Sequence, residues 1–311
     1  MKTSLRRRNA SLSLAISFSL AAGLGLVSTA SNATPVDFEG IQVEVVGEGQ
    51  PLLMIPGLNS AGETWRDTCA ALQADRIQCH IITLPGFAGV PAVDVEGAWL
   101  EAMRDRLLGY LDHAGVAKAS VIGHSLGGLL TMEMSLAQPE RFERLIIVDS
   151  LPFFPAATNP GATVATVKPM AEGMRAGMLA TDDATYRSNA RQAIGNMSNQ
   201  PGRMETLAAW GAASDRATTT QAMFELMTTD VRADIASIRT PTLVLGAWAG
   251  YAAFGATRES VEATFTGQYQ ALDGVRIELS DSGYHFLMWD DPQWLLGHVR
   301  GFLAAAPVAA N

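Results

Sequence analysis

A serine lies between two glycines in the segment SVIGHSLGGLL, residues 120–130. Residues 123–127 match the pattern G-x-S-x-G, and they follow an apolar run and precede a helix-like stretch. At a sharp turn from strand to helix the serine backbone is strained, and a Cβ at either glycine would clash with neighbouring chain. The unpaired N–H groups at the start of the helix can also stabilise an oxyanion. The pattern therefore predicts that Ser125 is a nucleophile for acyl transfer.

A serine nucleophile needs a general base, and the chain contains five histidines. His80 lies within a predicted strand, and His113 and His298 lie in amphipathic helical stretches, where a packed or solvated histidine is usual. His124 adjoins the nucleophile on the strained turn, so we expect its ring to point away. His285 follows the last predicted strand after a Ser-Gly turn, at the edge of the sheet where ligands bind in α/β folds. We therefore predict that His285 is the general base.

The elements that must position these residues alternate along the chain. Short apolar runs alternate with helix-like segments, which predicts a parallel sheet with crossover helices. The predicted strands are residues 51–56, 79–84, 119–123, 144–149, 240–246 and 275–280, with a short hairpin expected in residues 35–49. Between about residues 151 and 237 the strand pattern gives way to a helical region that holds seven of the 13 methionines. Because the strand pattern then resumes, residues 151–237 are predicted to be an insertion in a core of residues 34–150 and 238–311.

The sequence resembles the α/β-hydrolase family over nearly the whole chain after residue 33. The resemblance rests on the GHSLG turn, on LLMIPGLNSAGETW before the first long helix, on LPGFAG after the next strand, and on SGYHFLMWDDP near the C-terminus. It implies the α/β-hydrolase fold of a serine esterase-like member, with a mostly parallel sheet flanked by helices. It also implies that residues 151–237 form a helical cap, inserted after the strand that ends at Asp149.

The resemblance further implies which backbone groups bind the oxyanion. Many members have His-Gly at the end of the strand that begins the oxyanion loop, where this chain has Pro56-Gly57. Because the loop contributes backbone N–H groups, that histidine is replaceable. The expected donors are the N–H groups of Leu58 and of Leu126, which directly follows the nucleophile.

The triad acid departs from the usual family pattern. In most relatives the acid follows the strand before the last, usually three residues beyond a glycine, and this chain has Ala249 there. A minority of members carries the acid one strand earlier, where this chain has Asp149. Adjacent parallel strands bring the serine and Asp149 to the same sheet edge, so we predict Asp149 as the acid. A structural Asp149, with the acid at Asp281 or at no residue, is the alternative. Asp290 and Asp291 are expected to cap the final helix.

The first 33 residues match a secretory signal peptide. Four basic residues lie within positions 2–8, an apolar run diluted by Ser and Gly follows at residues 10–27, and the small residues STASNA come next. Cleavage is expected after Ala30 or Ala33, which predicts a periplasmic or secreted protein without a stable membrane anchor. A membrane anchor is the alternative, but the apolar run is short for a membrane-spanning helix.

Charge and cysteine content limit the partners and metal sites of the chain. Of the 22 Lys and Arg, four lie in the signal segment, whereas all 31 Asp and Glu follow it, so the cleaved chain would have a net charge of about −13. Such a surface disfavours nucleic acids and anionic membranes as partners. Cys69 and Cys79 cannot make a four-ligand zinc site. Their placement on consecutive elements favours a disulfide in an oxidising compartment, with two buried free thiols as the alternative.

Together these residues predict an exported serine hydrolase with a Ser125-His285-Asp149 triad and an acyl-enzyme intermediate, without a metal or organic cofactor. Methionines of the insertion adapt to apolar shapes, so the expected partner is a mainly apolar carboxylic ester of small to medium size. The same machinery acting on an amide, a lactone or a carbon–carbon bond is the first alternative. A non-catalytic ligand-binding protein on a hydrolase scaffold is the second. The sequence indicates no oligomeric state.

Overall fold

The computed structural model describes residues 35–95 and 97–305. Its strands are β1 (Val36–Phe38), β2 (Ile41–Val46), β3 (Gln50–Ile55), β4 (Ile77–Thr83), β5 (Ala119–His124), β6 (Phe142–Val148), β7 (Thr242–Ala247) and β8 (Arg276–Ser280). Within the described ranges these eight strands form one sheet in the spatial order β1-β2-β4-β3-β5-β6-β7-β8. β2 is antiparallel to β1 and to β4, and every pair from β4 across to β8 is parallel. The predicted fold class, a mostly parallel sheet with an opening hairpin, is confirmed.

Helices cover both faces of the sheet. The described residues contain α1 (Arg66–Leu72), α2 (Trp99–His113), α3 (Leu126–Ala137), α4 (Val164–Ala180), α5 (Asp183–Ala193), α6 (Pro201–Ala213), α7 (Arg216–Thr228), α8 (Arg258–Gln268), α9 (Leu287–Asp290) and α10 (Pro292–Ala304). α2, α3 and α8 contribute buried side chains to one core layer, and α1, α9 and α10 contribute to the other.

The central strands are apolar on both faces because both faces are buried. In β3, Leu53 and Ile55 pack in one core layer, while Leu52 and Met54 pack in the other, and all four side chains are fully buried. Successive side chains of a strand point to opposite faces. A parallel sheet covered on both sides therefore reads as a continuous apolar run, which is the pattern in PLLMIP.

The crossover from β5 through α3 to β6 brings two predicted site residues to one edge of the sheet. β5 and β6 are adjacent and parallel, with His124 paired to Val148. Ser125 and Asp149 follow these paired residues, and the Ser125 N–H donates to the Val148 carbonyl at 2.9 Å. Both residues thus lie at the carboxyl ends of their strands, the edge where parallel α/β folds bind ligands.

Four helices, α4 to α7, lie between β6 and β7, in the segment predicted as an insertion. We call residues 151–237 the cap. Glu225 of α7 fixes the cap to the core, because its carboxylate oxygens accept the N–H groups of Trp99 and Leu100 at 2.7 Å each. Trp99 and Leu100 begin α2, so a cap side chain satisfies unpaired donors at the start of a core helix.

A disulfide joins α1 to β4. It links Cys69 to Cys79, whose Cα atoms lie 6.1 Å apart, and both residues are buried in the core layer on the α1 side of the sheet. The bridge therefore staples a helix to the strand that directly follows it.

The predicted signal peptide, residues 1–33, lies outside the described residues. Of the helices that are described, none has the length and apolar character that crossing a membrane requires. In the same part of the chain, His, Cys, Asp and Glu side chains do not form a group of three or more that could hold a metal ion.

Candidate active site

Ser125 occupies a strained turn between β5 and α3. Its φ is 53° and its ψ is −119°, a conformation that non-glycine residues rarely adopt. A Cβ on Gly123 would lie 2.1 Å from the Gly127 carbonyl oxygen, and a Cβ on Gly127 would lie 2.4 Å from the Ile55 carbonyl oxygen. Both contacts are impossible, so the two glycines of the G-x-S-x-G pattern are required by the close approach of the backbone.

His285 and Asp149 form the central hydrogen bond of the site. His285 Nδ1 lies 2.6 Å from Asp149 Oδ2, and the Asp149 side chain is only 4% exposed. The second carboxylate oxygen accepts the Ala247 N–H at 2.8 Å. Asp149 has a φ of 43°, so the chain accepts backbone strain at this residue also. The carboxylate is held from two sides, with one oxygen aimed at the imidazole.

His124 connects the nucleophile turn to the predicted base. Its ring, expected to point away from the nucleophile, packs against the His285 ring with 4.5 Å between centroids. Its Nε2 lies 3.0 Å from the His285 carbonyl oxygen. A carbonyl can only accept, so Nε2 carries the proton and Nδ1 does not. Burial, and next the nearby His285, lower the pKa of His124 well below its ordinary value, so this ring stays neutral.

Ser125 and His285 are neighbours through His124 without being hydrogen-bonded. Within the described residues, the Ser125 hydroxyl makes no hydrogen bond to a ring nitrogen of His285. Catalytic hydrogen bonds are often long in a free enzyme and tighten when substrate binds. The structure therefore brings the three predicted triad residues to one edge with the acid–base contact already formed.

The loop between β3 and the helix that follows it lies against the predicted nucleophile. A Cβ on Gly57 would lie 3.1 Å from Ser125 Cβ and 3.1 Å from His124 Nδ1. Across the ranges that the structure describes, the N–H groups of Leu58 and Leu126 donate to no protein acceptor. Two free donors beside a serine are what an oxyanion site requires.

The cap reaches this oxyanion loop through one short hydrogen bond. Asn59, directly after Leu58, has a φ of 58°, and the Thr219 hydroxyl of α7 lies 2.6 Å from its Oδ1. The Asp215 carbonyl oxygen, at 2.8 Å from the same hydroxyl, already accepts the Thr219 N–H, which leaves the hydroxyl proton for Asn59. Thr219 is buried. A cap helix therefore fixes the residue that follows a predicted oxyanion donor.

Asp290 and Asp291 hold the loop that carries His285. Asp291 occupies the N-cap position of the final helix, as expected, but neither carboxylate caps that helix. Asp291 makes no side-chain hydrogen bond to the start of α10. Its Oδ2 accepts the Ser280 hydroxyl at 2.7 Å, and Asp290 Oδ2 accepts the Tyr284 N–H at 3.2 Å. Burial raises the pKa of Asp290. Donors of the preceding loop compete successfully for both carboxylates.

A cap segment contacts the same loop. The Phe286 N–H donates to the Met197 carbonyl oxygen at 3.1 Å. The Ser198 hydroxyl donates to Asp290 Oδ1 at 2.6 Å. Residues directly before α6 therefore help to place the backbone of the predicted base.

Asp281, the alternative acid, makes a different contact. Its Oδ1 accepts Arg258 Nε at 3.0 Å, and its side chain is 82% exposed. Asp149, and not Asp281, is the carboxylate that binds His285.

The alpha/beta hydrolase family model matches residues 52–297 of the chain. The chain belongs to the α/β-hydrolase family. It is 35% identical to a pimeloyl-[acyl-carrier protein] methyl ester esterase of Aeromonas hydrophila over 119 residues, 37% of this chain and 44% of that one. It is 34% identical to the protein of the same name from Vibrio cholerae over 113 residues, 36% of this chain and 42% of that one. The aligned segments thus span less than half the length of these curated relatives.

Solved structures share the α/β-hydrolase fold over most of the chain. A hydrolase from Pseudomonas aeruginosa superimposes with a TM-score of 0.70 and 21% identity, covering 85% of this chain and 94% of that one. At this identity the likeness concerns the fold. The chain is therefore an α/β hydrolase with esterases among its relatives.

Three residues that contact the site are not identified by the family pattern. His124 and Thr219 contact residues that are 161 and 160 positions away in sequence, and no local pattern reports such pairs. Tyr251 could have been found, because it places a hydroxyl two residues beyond Ala249, in the loop where the family usually carries its acid.

Proposed function

We propose that this chain is an exported serine hydrolase that cleaves carboxylic esters of small to medium, mainly apolar organic molecules. The observation that carries the proposal is the 2.6 Å hydrogen bond between His285 and Asp149, beside a strained serine turn. An imidazole oriented by a buried carboxylate next to a serine is the arrangement that activates an alcohol as a nucleophile.

The reaction would proceed in two steps. Ser125 Oγ attacks the ester carbonyl carbon while His285 Nε2 takes the hydroxyl proton, and Asp149 stabilises the imidazolium through Nδ1–H. The N–H groups of Leu58 and Leu126 hold the negative oxygen of the tetrahedral intermediate. His285 then protonates the leaving alcohol, and water releases the acyl group from the serine by the reverse sequence of proton transfers.

The preference for an ester with an apolar group is supported by the relatives and by the cap. The two curated relatives described above are named as methyl ester esterases. The cap exposes large apolar side chains at Phe154, Met170 and Leu179. Any of these side chains that lines the way to Ser125 would contact apolar substrate groups, and methionine adapts to varied shapes.

Export is the part of the proposal that rests on sequence. The basic, apolar and small-residue segments of residues 1–33 support a cleaved signal peptide. The bridge between Cys69 and Cys79 is in keeping with an oxidising compartment. Cell fractionation of the full-length chain, with mass determination of the mature N-terminus, tests this part.

Active-site labelling tests the chemistry. We expect a fluorophosphonate to label the wild-type protein but not Ser125→Ala. The control variant Ser120→Ala, which changes a buried serine of β5, the strand directly before Ser125, should be labelled like the wild type. A matched panel of an ester, an anilide and a lactone with the same acyl group should then give the fastest turnover on the ester. Labelling of Ser125→Ala would place the nucleophile elsewhere. An unlabelled wild-type protein would support the binding-protein alternative.

A further inference from the structure

The loop after β7 carries a hydroxyl where most family members carry an acid. Residues Ala249–Phe254 form a 3-10 helix directly after this strand. Gly250 lets the helix lie close to its neighbours, because a Cβ there would lie 3.1 Å from the Asn196 carbonyl oxygen and 3.1 Å from Tyr284 Cγ. Tyr251 follows, and its hydroxyl reaches Asp149 Oδ2 at 3.4 Å.

The oxygen that Tyr251 contacts is the one that accepts from His285. Asp149 Oδ1 is occupied by the Ala247 N–H, while Oδ2 accepts His285 Nδ1 at 2.6 Å and the Tyr251 hydroxyl at 3.4 Å. A carboxylate oxygen has two lone pairs, so the two donors can share it. Together they fix the rotation of the carboxylate about its last side-chain bond.

The Tyr251 hydroxyl is suited to remain a donor. Although Tyr251 is 41% exposed as a residue, its hydroxyl points inward to Asp149. Burial of this group, and next the charge of Asp149, raise the pKa of Tyr251 well above its ordinary value. The phenol therefore keeps its proton over the whole working range of a hydrolase.

We propose that Tyr251 is a positioning residue of the active site, which donates to Asp149 Oδ2 and holds the carboxylate in line with His285 Nδ1. The inference rests on the proposed triad. In this chain the loop at Ala249 carries no carboxylate for the imidazole. It instead carries Tyr251, a neutral donor to Asp149, whose carboxylate comes from the end of the neighbouring strand β6.

Removal of the hydroxyl should loosen the Asp149 carboxylate. Without the Tyr251 donor, Oδ2 keeps only His285 Nδ1 as a partner among the described residues, so the carboxylate can rotate out of line with the imidazole. The hydrogen bond between His285 Nδ1 and Asp149 Oδ2 should therefore lengthen in Tyr251→Phe.

The test compares Tyr251→Phe with Tyr269→Phe. Tyr269 is also buried near Asp149, but its hydroxyl donates to the Ser150 carbonyl oxygen at 2.8 Å and not to the carboxylate. Both variants should lose some thermal stability. The hydrogen bond between His285 and Asp149 is followed by NMR as the chemical shift of the Nδ1 proton in histidine-labelled protein, with His285→Gln to assign the resonance, so the readout does not require turnover.

We expect Tyr251→Phe to move the His285 Nδ1 proton resonance upfield, as a longer hydrogen bond to Asp149 requires, and to lower kcat on an ester about three- to tenfold at unchanged KM, since 3.4 Å is a long hydrogen bond. Tyr269→Phe should leave this resonance unchanged. An unchanged or downfield-shifted resonance in Tyr251→Phe would overturn the inference. An upfield shift in a protein that no fluorophosphonate labels would sustain the Tyr251 contact and overturn only the proposed function.

Discussion

The Nε2 atom of His124 lies 3.0 Å from the main-chain carbonyl oxygen of His285, across 161 residues of sequence. The residue directly before the predicted nucleophile therefore binds the backbone of the predicted base. The two rings also pack against each other at 4.5 Å between centroids. This contact links the strained turn after β5 to the loop after β8, so the relative position of Ser125 and His285 depends on His124.

His124→Phe should lower activity by displacing the base. Phenylalanine retains a ring in the buried site but cannot donate to the His285 carbonyl, and an unpaired buried carbonyl costs about 1 to 3 kcal/mol. We expect the loop to shift and kcat on an ester to fall at least about tenfold. His80→Phe is the control, because His80 is also a buried histidine but lies outside the site. Equal loss of melting temperature in the two variants with normal turnover in both would contradict the role of His124.

Stability should fall as the pH falls below about 6.5, the pKa of histidine in an unfolded chain. Burial lowers the pKa of His124 far below this value and also lowers that of His80. The unfolded chain then binds protons that the folded chain does not, which favours unfolding. From pH 7 to pH 5 this difference in proton binding should therefore lower the free energy of unfolding. Urea unfolding at pH 7 and pH 5 should show that the free energy of unfolding depends less on pH in His124→Phe than in the wild type. The same pH dependence in both proteins would contradict the role of His124.

Asp149→Asn should separate a catalytic from a structural aspartate. The amide keeps an acceptor for the Ala247 N–H but loses the charge that stabilises the His285 imidazolium and fixes its tautomer. The corresponding change in serine proteases lowers kcat about 10⁴-fold, so we expect at least about a hundredfold loss here with little change in melting temperature. Asp281→Asn, at an exposed ion pair with Arg258, should retain normal turnover. A lowered melting temperature with near-normal kcat would make Asp149 a structural residue.

Thr219→Val should weaken oxyanion binding without unfolding the cap. Valine has the shape of threonine but cannot donate to Asn59, so the residue after Leu58 loses its partner in α7. We expect kcat on an ester to fall about three- to tenfold, consistent with loss of one hydrogen bond. Thr220→Val is a matched control, because the Thr220 hydroxyl is buried without a hydrogen-bond partner in the described structure. That variant should be at least as stable and as active as the wild type, and equal kcat in the two variants would argue against the contact.

The bridge between Cys69 and Cys79 should survive purification and stabilise the fold. Closing a loop of about ten residues contributes roughly 2 to 3 kcal/mol in the chain-entropy model. We expect no free thiol in the unfolded, unreduced protein and a lower urea midpoint for the Cys69→Ala, Cys79→Ala double variant. Two titratable thiols per chain would show that the cysteines are unpaired.

Sheet and nucleophile turn could be predicted because they obey local rules. The continuous apolar run of β3 follows from burial on both faces, and the glycines at 123 and 127 follow from backbone contacts of 2.1 and 2.4 Å. The contact at Gly127 comes from Ile55 of β3, but the apolar run and the G-x-S-x-G pattern each occupy a few consecutive residues, so the sequence shows both directly.

The support around the site could not be predicted, because it depends on how distant elements meet. Asp290 and Asp291 precede a helix that starts with proline, a pattern that favours capping by their side chains. Instead, their carboxylates accept from Ser280 and Tyr284, in the segment that precedes them. The Thr219 contact with Asn59 depends on the rotation of α7 over the core, and the mixed composition of that helix does not indicate which face is buried. Long-range hydrogen bonds of this kind have no periodic signature.

The cap is joined to the loop of the predicted oxyanion donor and to the loop of the predicted base, since Thr219 donates to Asn59 and Met197 accepts from Phe286. A chimaera can be made by exchanging the inserted cap helices between two proteins, so that one core receives the substrate specificity of the other. Here such an exchange would also remove the hydrogen bonds that hold the loop of Asn59 and the loop that carries His285. A chimaera that keeps residues 197–199 and 214–225 should retain turnover, whereas a complete exchange should yield a folded protein with slow turnover.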